Sequence, residues 1–202
     1  MINLGVLASG SGTNLQAIID AAEKKEISAE VKVVISDRED AYALQRAKKH
    51  NIPNYFVNLK NFSSKEEYER EILRILKEHN VDLVVLAGYM KIVGKTLLSA
   101  YRNRIMNIHP ALLPSFPGLE AWKQAIDYGV KISGVTVHFV DEGMDTGPII
   151  LQAAVPVFED DTPDSLLSRI HQEEYKIYKK AIQLFAEGKL KIEGRKVRIL
   201  EG

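Results

Sequence analysis

The stretch Ile2-Asn3-Leu4-Gly5-Val6-Leu7-Ala8-Ser9-Gly10-Ser11-Gly12-Thr13-Asn14-Leu15 decides the fold. Ile2 to Ala8 is a short apolar run that reads as a strand. A glycine-rich turn follows at once, and Leu15, Ile18, Ile19 and Ala22 then recur at helical spacing. Gly10 and Gly12 let the backbone approach a ligand closely. Free N–H groups at the helix start, helped by the side chains of Ser11, Thr13 and Asn14, favour an anion, with phosphate the first candidate. The loop lacks the Gly-Lys-Ser/Thr of a nucleoside-triphosphate loop, and Leu15 stands where the third glycine of a dinucleotide fingerprint belongs. Asp37, ending the next strand, keeps an NAD-type site as second choice. A tight strand-to-helix turn without a ligand is the bland alternative.

The same alternation continues outward. Val31 to Ser36 reads as a strand, Ala41 to His50 as a helix and Asn54 to Val57 as a short strand. Ser64-Lys65-Glu66-Glu67 matches a capping box ahead of a helix with Tyr68, Ile72, Ile75, Leu76 and His79 on one face. Val81 to Ala87 is nearly continuous apolar sequence, as expected of a central parallel strand covered on both sides. These elements predict an α/β fold with a doubly wound, mostly parallel sheet and ligands at the carboxyl ends of its strands. Gly88-Tyr89-Met90 should then share a rim with the Gly12 loop. Met90, Lys91, Ile92 and Val93 combine apolar side chains with one cation, suited to a flat heterocycle or simply to a loop leading into a helix at Lys95 to Ala100.

In Ile105-Met106-Asn107-Ile108-His109-Pro110, Asn107 and His109 leave the same face of an extended segment, and Pro110 holds His109 at the strand end. An imidazole moves a proton near neutral pH and an amide donates to a developing oxyanion, so the pair suits acyl transfer. Leu119 to Tyr128 reads as a helix stopped by Gly129. Val135, Val137 and Phe139 alternate with Thr136 and His138, which places His138 on a more polar sheet face, read as a structural histidine bonded to a neighbour. The following loop carries Asp141, Glu142 and Asp145, each able to hold and orient an imidazole, with Asp145 nearest the Gly147-Pro148 pair that could fix its position. Ile149 to Val157 is a further strand whose Pro156 suggests a sheet edge. Thr162-Pro163 opens a long helix on whose apolar stripe Glu174 is the odd member; sugar hydroxyls would satisfy it. Leu190 to Ile192 and Lys196 to Leu200 read as a hairpin.

Composition narrows the function. The chain has 202 residues and no cysteine, so disulfide frameworks and thiolate chemistry are excluded. Its 27 basic residues balance 27 acidic ones, which gives no global field for nucleic acid or an anionic membrane. No apolar run approaches membrane-spanning length, and the expected setting is cytoplasmic. The expected partners are small molecules.

Four segments together resemble the phosphoribosylglycinamide formyltransferase family: Ser9 to Ile18, Leu86-Ala87-Gly88-Tyr89-Met90, Asn107 to Pro114, and Asp145-Thr146-Gly147-Pro148-Ile149-Ile150. The resemblance spans essentially the whole chain. It implies one formyltransferase domain over 1–202, with a mononucleotide-binding half (1–100) and a catalytic and folate-binding half (101–202) that adds antiparallel strands to the sheet. It further implies transfer of a formyl group from 10-formyltetrahydrofolate to the amine of phosphoribosylglycinamide in purine biosynthesis, without a metal. Gly12, Thr13 and Asn14 would hold the ribotide phosphate, and Glu174 the ribose hydroxyls. Met90, Lys91, Ile92 and Val93, with Asn107 and the Asp141 to Asp145 loop, would hold the folate. Asn107, His109 and Asp145 match the catalytic trio. Lys65 falls where a relative carries an arginine that contacts folate, and Lys91 replaces a frequent arginine; lysine keeps the charge without the bidentate fork. A monomer or homodimer is expected. Formyltetrahydrofolate deformylase and methionyl-tRNA formyltransferase are the nearest rivals, each normally with an extension this sequence lacks, and a non-catalytic folate- or nucleotide-binding module is the rival from another class.

Overall fold

β1 (Ile2–Ala8) has a parallel strand on each side: β2 (Ala29–Ser36) and β4 (Leu83–Leu86). Such double pairing fits its largely apolar sequence, buried from Leu4 to Ala8. The computed structural model describes residues 1–201. The remaining elements are α1 (Thr13–Glu23), α2 (Tyr42–Lys49), β3 (Asn54–Phe56), α3 (Lys65–Glu78), α4 (Lys95–Ala100), β5 (Ile105–His109), α5 (Ala121–Tyr128), β6 (Ile132–Phe139), β7 (Ile149–Pro156), α6 (Pro163–Ala186), β8 (Leu190–Glu193) and β9 (Lys196–Ile199). The main sheet runs β3-β2-β1-β4-β5-β6-β7, parallel through β5 and antiparallel from there on. β8 and β9 form the separate hairpin. Among the described residues no helix is long and apolar enough to cross a membrane.

Alternate residues of each strand feed two cores. Val6, Val34, Val85, Met106, Val135 and Val137 pack under α1, α2, α5 and α6, while Leu7, Val33, Ile35, Val84, Leu86 and Ile105 pack under α3 and α4. On this second face the apolar cover stops at Ile105. Asn107 and His109 of β5 stand there opposite His138 and Thr136 of β6 in antiparallel register. Paired residues of neighbouring strands project to the same side, so four polar side chains share one patch at the point where the helical cover ends.

Two local expectations need adjustment. The side chain of Ser64 caps α3 by accepting from Glu67 N–H, but the Glu67 carboxylate turns to Ser63 and not to the cap residue, so the box is only half formed. α5 begins at Ala121 and not at Leu119, because Glu120 takes a left-handed conformation just after the Pro117-Gly118 turn. Pro156 does fall on an edge strand, and Thr162 closes a full capping box with Ser165.

Candidate active site

The glycine loop is shaped by close packing. Gly12 is the N-cap of α1 with φ +73, and a Cβ there would lie 2.9 Å from Ala43, so only glycine fits without displacing α2. Arg46 of α2 donates to the Ser11 carbonyl at 2.7 Å, and Ala43 N–H donates to the Gly10 carbonyl at 3.1 Å. Asn14, on the first turn of α1, donates to Glu174 Oε2 at 3.2 Å, while its own Oδ1 is buried with no partner. Glu174 is 4% exposed and also meets His171 Nδ1 at 2.9 Å, so this carboxylate on an apolar stripe is not left bare. That pairing holds the His171 pKa above the usual histidine value, against its partial burial. One turn further along α6, Tyr178 donates its hydroxyl to the carbonyls of Leu86, the last residue of β4, and Met106, the second of β5, which ties the helix that carries Glu174 to both strands.

The expected common rim exists. Ser9 N–H donates to the Gly88 carbonyl at 3.1 Å and Met90 N–H donates to Ser9 Oγ at 2.8 Å. Ser9 Oγ in turn donates to Asp37 at 2.5 Å, so the acid that suggested an NAD-type site is engaged in holding this junction.

Beyond the rim lies a cleft of about 240 Å³. Met90, Lys91, Ile92 and Val93 line one side, Asn107, His109 and His138 the floor, and Asp141, Gly143, Met144 and Asp145 part of the other side. His109 is 4% exposed; its Nε2 donates to the Phe116 carbonyl at 2.7 Å, and its Nδ1 lies 3.5 Å from Asp145 Oδ2. The same Asp145 oxygen accepts from Gly118 N–H at 2.8 Å. The proline-rich loop after β5 therefore does more than stiffen the chain: one of its carbonyls orients the imidazole and one of its amides orients the acid. Asp141 is turned to Gly143 N–H and Thr146 Oγ1, and Glu142 pairs with Arg102 at 2.6 Å, which leaves Asp145 as the acid beside the imidazole.

His138 only half fits the structural role expected of it. Its Nδ1 bonds the Phe139 carbonyl at 2.9 Å, yet its Nε2 is buried without a partner and points toward Asp145 Oδ1 at 4.0 Å. Burial drives its pKa below the usual histidine value, opposed by the Phe139 carbonyl and Asp145. With the Nδ1 proton donated to the Phe139 carbonyl, Nε2 is an acceptor in the neutral ring. The signal that could have found it is the shared parity of Asn107 and His138 across β5 and β6. Lys65 is not brought to this cleft: it lines a separate depression with Glu66, Glu69, Lys95 and Thr96.

A polar patch of amide, imidazole and carboxylate on an α/β sheet, beside an apolar rim and an anion-type loop, is the equipment of a group-transfer enzyme acting at a carbonyl carbon, and a sequence profile described as formyl transferase matches residues 2–182. The chain is 43% identical over 191 residues to the phosphoribosylglycinamide formyltransferase of Escherichia coli, covering 95% of this chain and 90% of that one. A solved structure of glycinamide ribonucleotide transformylase 1 from Symbiobacterium toebii superposes with a TM-score of 0.98 at 55% identity, covering 100% of this chain and 95% of that one. The trifunctional purine biosynthetic protein adenosine-3 of Drosophila melanogaster is 47% identical over 187 residues, 92% of this chain but only 14% of that longer protein. The chain belongs to the phosphoribosylglycinamide formyltransferase family.

Proposed function

We propose that the chain transfers the formyl group of 10-formyltetrahydrofolate to the amine of phosphoribosylglycinamide, giving the N-formyl ribotide and tetrahydrofolate, in purine biosynthesis. The observation that carries this reading is the convergence of Asn107, His109 and Asp145 on one cleft whose side wall is Met90 to Val93. An apolar wall over a polar floor with an orphaned buried His138 Nε2 fits a heterocycle carrying both a flat face and polar edges. The donor supplies an activated formyl carbon. Gly12, Thr13 and Asn14 hold the ribotide phosphate on their backbone and side-chain donors, and Glu174 accepts from ribose hydroxyls.

An α-amine with a pKa of roughly 8 is partly neutral at pH 7, so no enzyme nucleophile is needed. The bond from the amine to the formyl carbon forms and the bond from that carbon to the folate nitrogen breaks. One proton leaves the amine and one reaches the departing nitrogen. The Asn107 amide stabilises the negative charge that develops on the formyl oxygen. His109 Nε2–H is committed to the Phe116 carbonyl, so Nδ1 is the position at which His109 holds and gives up a proton, with Asp145 compensating the charge. Purified protein should consume the formyl donor only when the ribotide is present. Donor hydrolysis without ribotide would point to a deformylase, and binding of both ligands without transfer to a non-catalytic module.

A further inference from the structure

We propose that Glu69 of α3 is a positioning residue for the formyl-donor rim: it sets the loop Gly88 to Gly94, and with it Met90 to Val93, from behind. The inference rests on the reading above that this rim takes the formyl donor.

Glu69 is 3% exposed, an uncommon burial for a carboxylate, and the chemistry assigned to the cleft does not use it. Its oxygens accept from two backbone donors of one segment: Oε2 from Gly94 N–H at 2.6 Å and Oε1 from Leu97 N–H at 3.3 Å. Gly94 is the N-cap of α4 and has no side-chain cap of its own. Glu69 reaches across from another helix to satisfy these orphan amides, and its charge opposes the positive end of α4.

The contact leaves no room for a side chain at Gly94 unless the Glu69 carboxylate moves off its amides, a steric and not a conformational constraint. Gly94 has φ −93, which any residue adopts, but a Cβ there would stand 2.8 Å from Glu69 Oε1. The preceding residue on α3 grips the other end of the same loop: the Tyr68 hydroxyl meets the Tyr89 hydroxyl at 2.8 Å. Ser9 Oγ takes Met90 N–H between them. Adjacent residues of one helix thus fasten both ends of a loop whose Met90 and Ile92 side chains are left exposed toward the cleft. Those apolar side chains have little of their own to keep them in place, so the anchors decide where they stand.

The test is steady-state kinetics of formyl transfer for four single variants and one double variant of the full chain, with the folded fraction of each matched by thermal melting. Glu69→Ala and Gly94→Ala, which break the contact from opposite sides, should each raise KM for the formyl donor about tenfold, with kcat and the ribotide KM changing less than about twofold. Glu69→Gln keeps one acceptor oxygen and should fall between, and Tyr68→Phe should shift the donor KM in the same direction. The double variant Met90→Ala/Ile92→Ala reports on the rim itself. If it raises the donor KM while Glu69→Ala and Gly94→Ala do not, the positioning role is overturned and the rim reading stands. If none of them moves the donor KM, the rim is not the donor site and both readings fall. Equal losses across kcat and both KM values would mark Glu69 as a stabiliser of the fold alone and overturn the proposal.

Discussion

Asn14, in the first turn of α1, donates to Oε2 of Glu174 on α6 at 3.2 Å, closing a gap of 160 residues in sequence. The amide belongs to the helix that follows the glycine loop and the carboxylate to the helix that Tyr178 ties to β4 and β5, so one hydrogen bond links the loop to α6. Replacing Glu174 with Ala takes this partner from the Asn14 Nδ2 group, whose Oδ1 already has none, and from the His171 ring. The expected result is a loss of about 1–3 kcal/mol in urea unfolding. Calorimetric ribotide affinity should fall at least about tenfold, with donor affinity unchanged. Unaltered ribotide affinity would detach Glu174 from the sugar.

His109→Ala and Asp145→Ala should each reduce turnover by about two to three orders of magnitude, as loss of a single charge-stabilising donor does elsewhere. Ribotide binding, measured by calorimetry, should stay within about threefold of the parent protein. The double variant should lose little beyond either single one, because the acid acts through the ring it faces at 3.5 Å. Additive losses would show two independent roles.

Arg195, in the turn between β8 and β9, donates to the carbonyls of Thr146 and Gly147, the two residues that follow Asp145. It lies outside the segment matched by the formyl transferase profile. Arg195→Ala should lower kcat about threefold to tenfold and speed amide exchange across residues 143–147, with less than about 1 kcal/mol of global destabilisation. Unchanged exchange in that loop would show that the hairpin does not brace it.

Two histidines should give the stability profile opposite slopes. Burial lowers His138 below its ordinary value of 6.5, so the folded protein takes up fewer protons there than the unfolded chain. Its contribution is complete above that value and is lost as pH falls through the lowered one. Glu174 raises His171 above 6.5, so that contribution is complete below 6.5 and is lost as pH rises through the raised value. The His171 effect should stay under about 1 kcal/mol, because its side chain is 36% exposed. Melting curves from pH 5 to 8 should show His138→Gln flattening the acid side and His171→Gln the alkaline side. Parallel curves for all three proteins would remove both assignments.

The parts of this arrangement that were legible in sequence are those with local grammar. The apolar run, paired glycines and helical spacing from Ile2 to Ile19 foretell β1, the loop and α1. The two-residue spacing of Asn107 and His109 foretells their common face, and a carboxylate on an apolar stripe singles out Glu174. What escaped was contributed by partners without a signature. The Phe116 carbonyl and Gly118 amide are main-chain groups that any residue carries. His138 became visible only through the register of β5 on β6. Glu69 reads as one more surface acid among Glu66, Glu67 and Glu71, because its partners are amides 25 and 28 residues away.

The Tyr178 hydroxyl, shared between the carbonyls of Leu86 and Met106, acts as a keystone between two parallel strands, at the last residue of β4 and the second of β5. A ring buried under α6 thereby ties together the strand that leads to the Gly88 rim and the strand that carries Asn107 and His109. Phenylalanine at this position would strip two interior acceptors of their shared proton at once, and the two halves of the site would lose their common spacing together. Work aimed at reshaping either half should leave that ring alone.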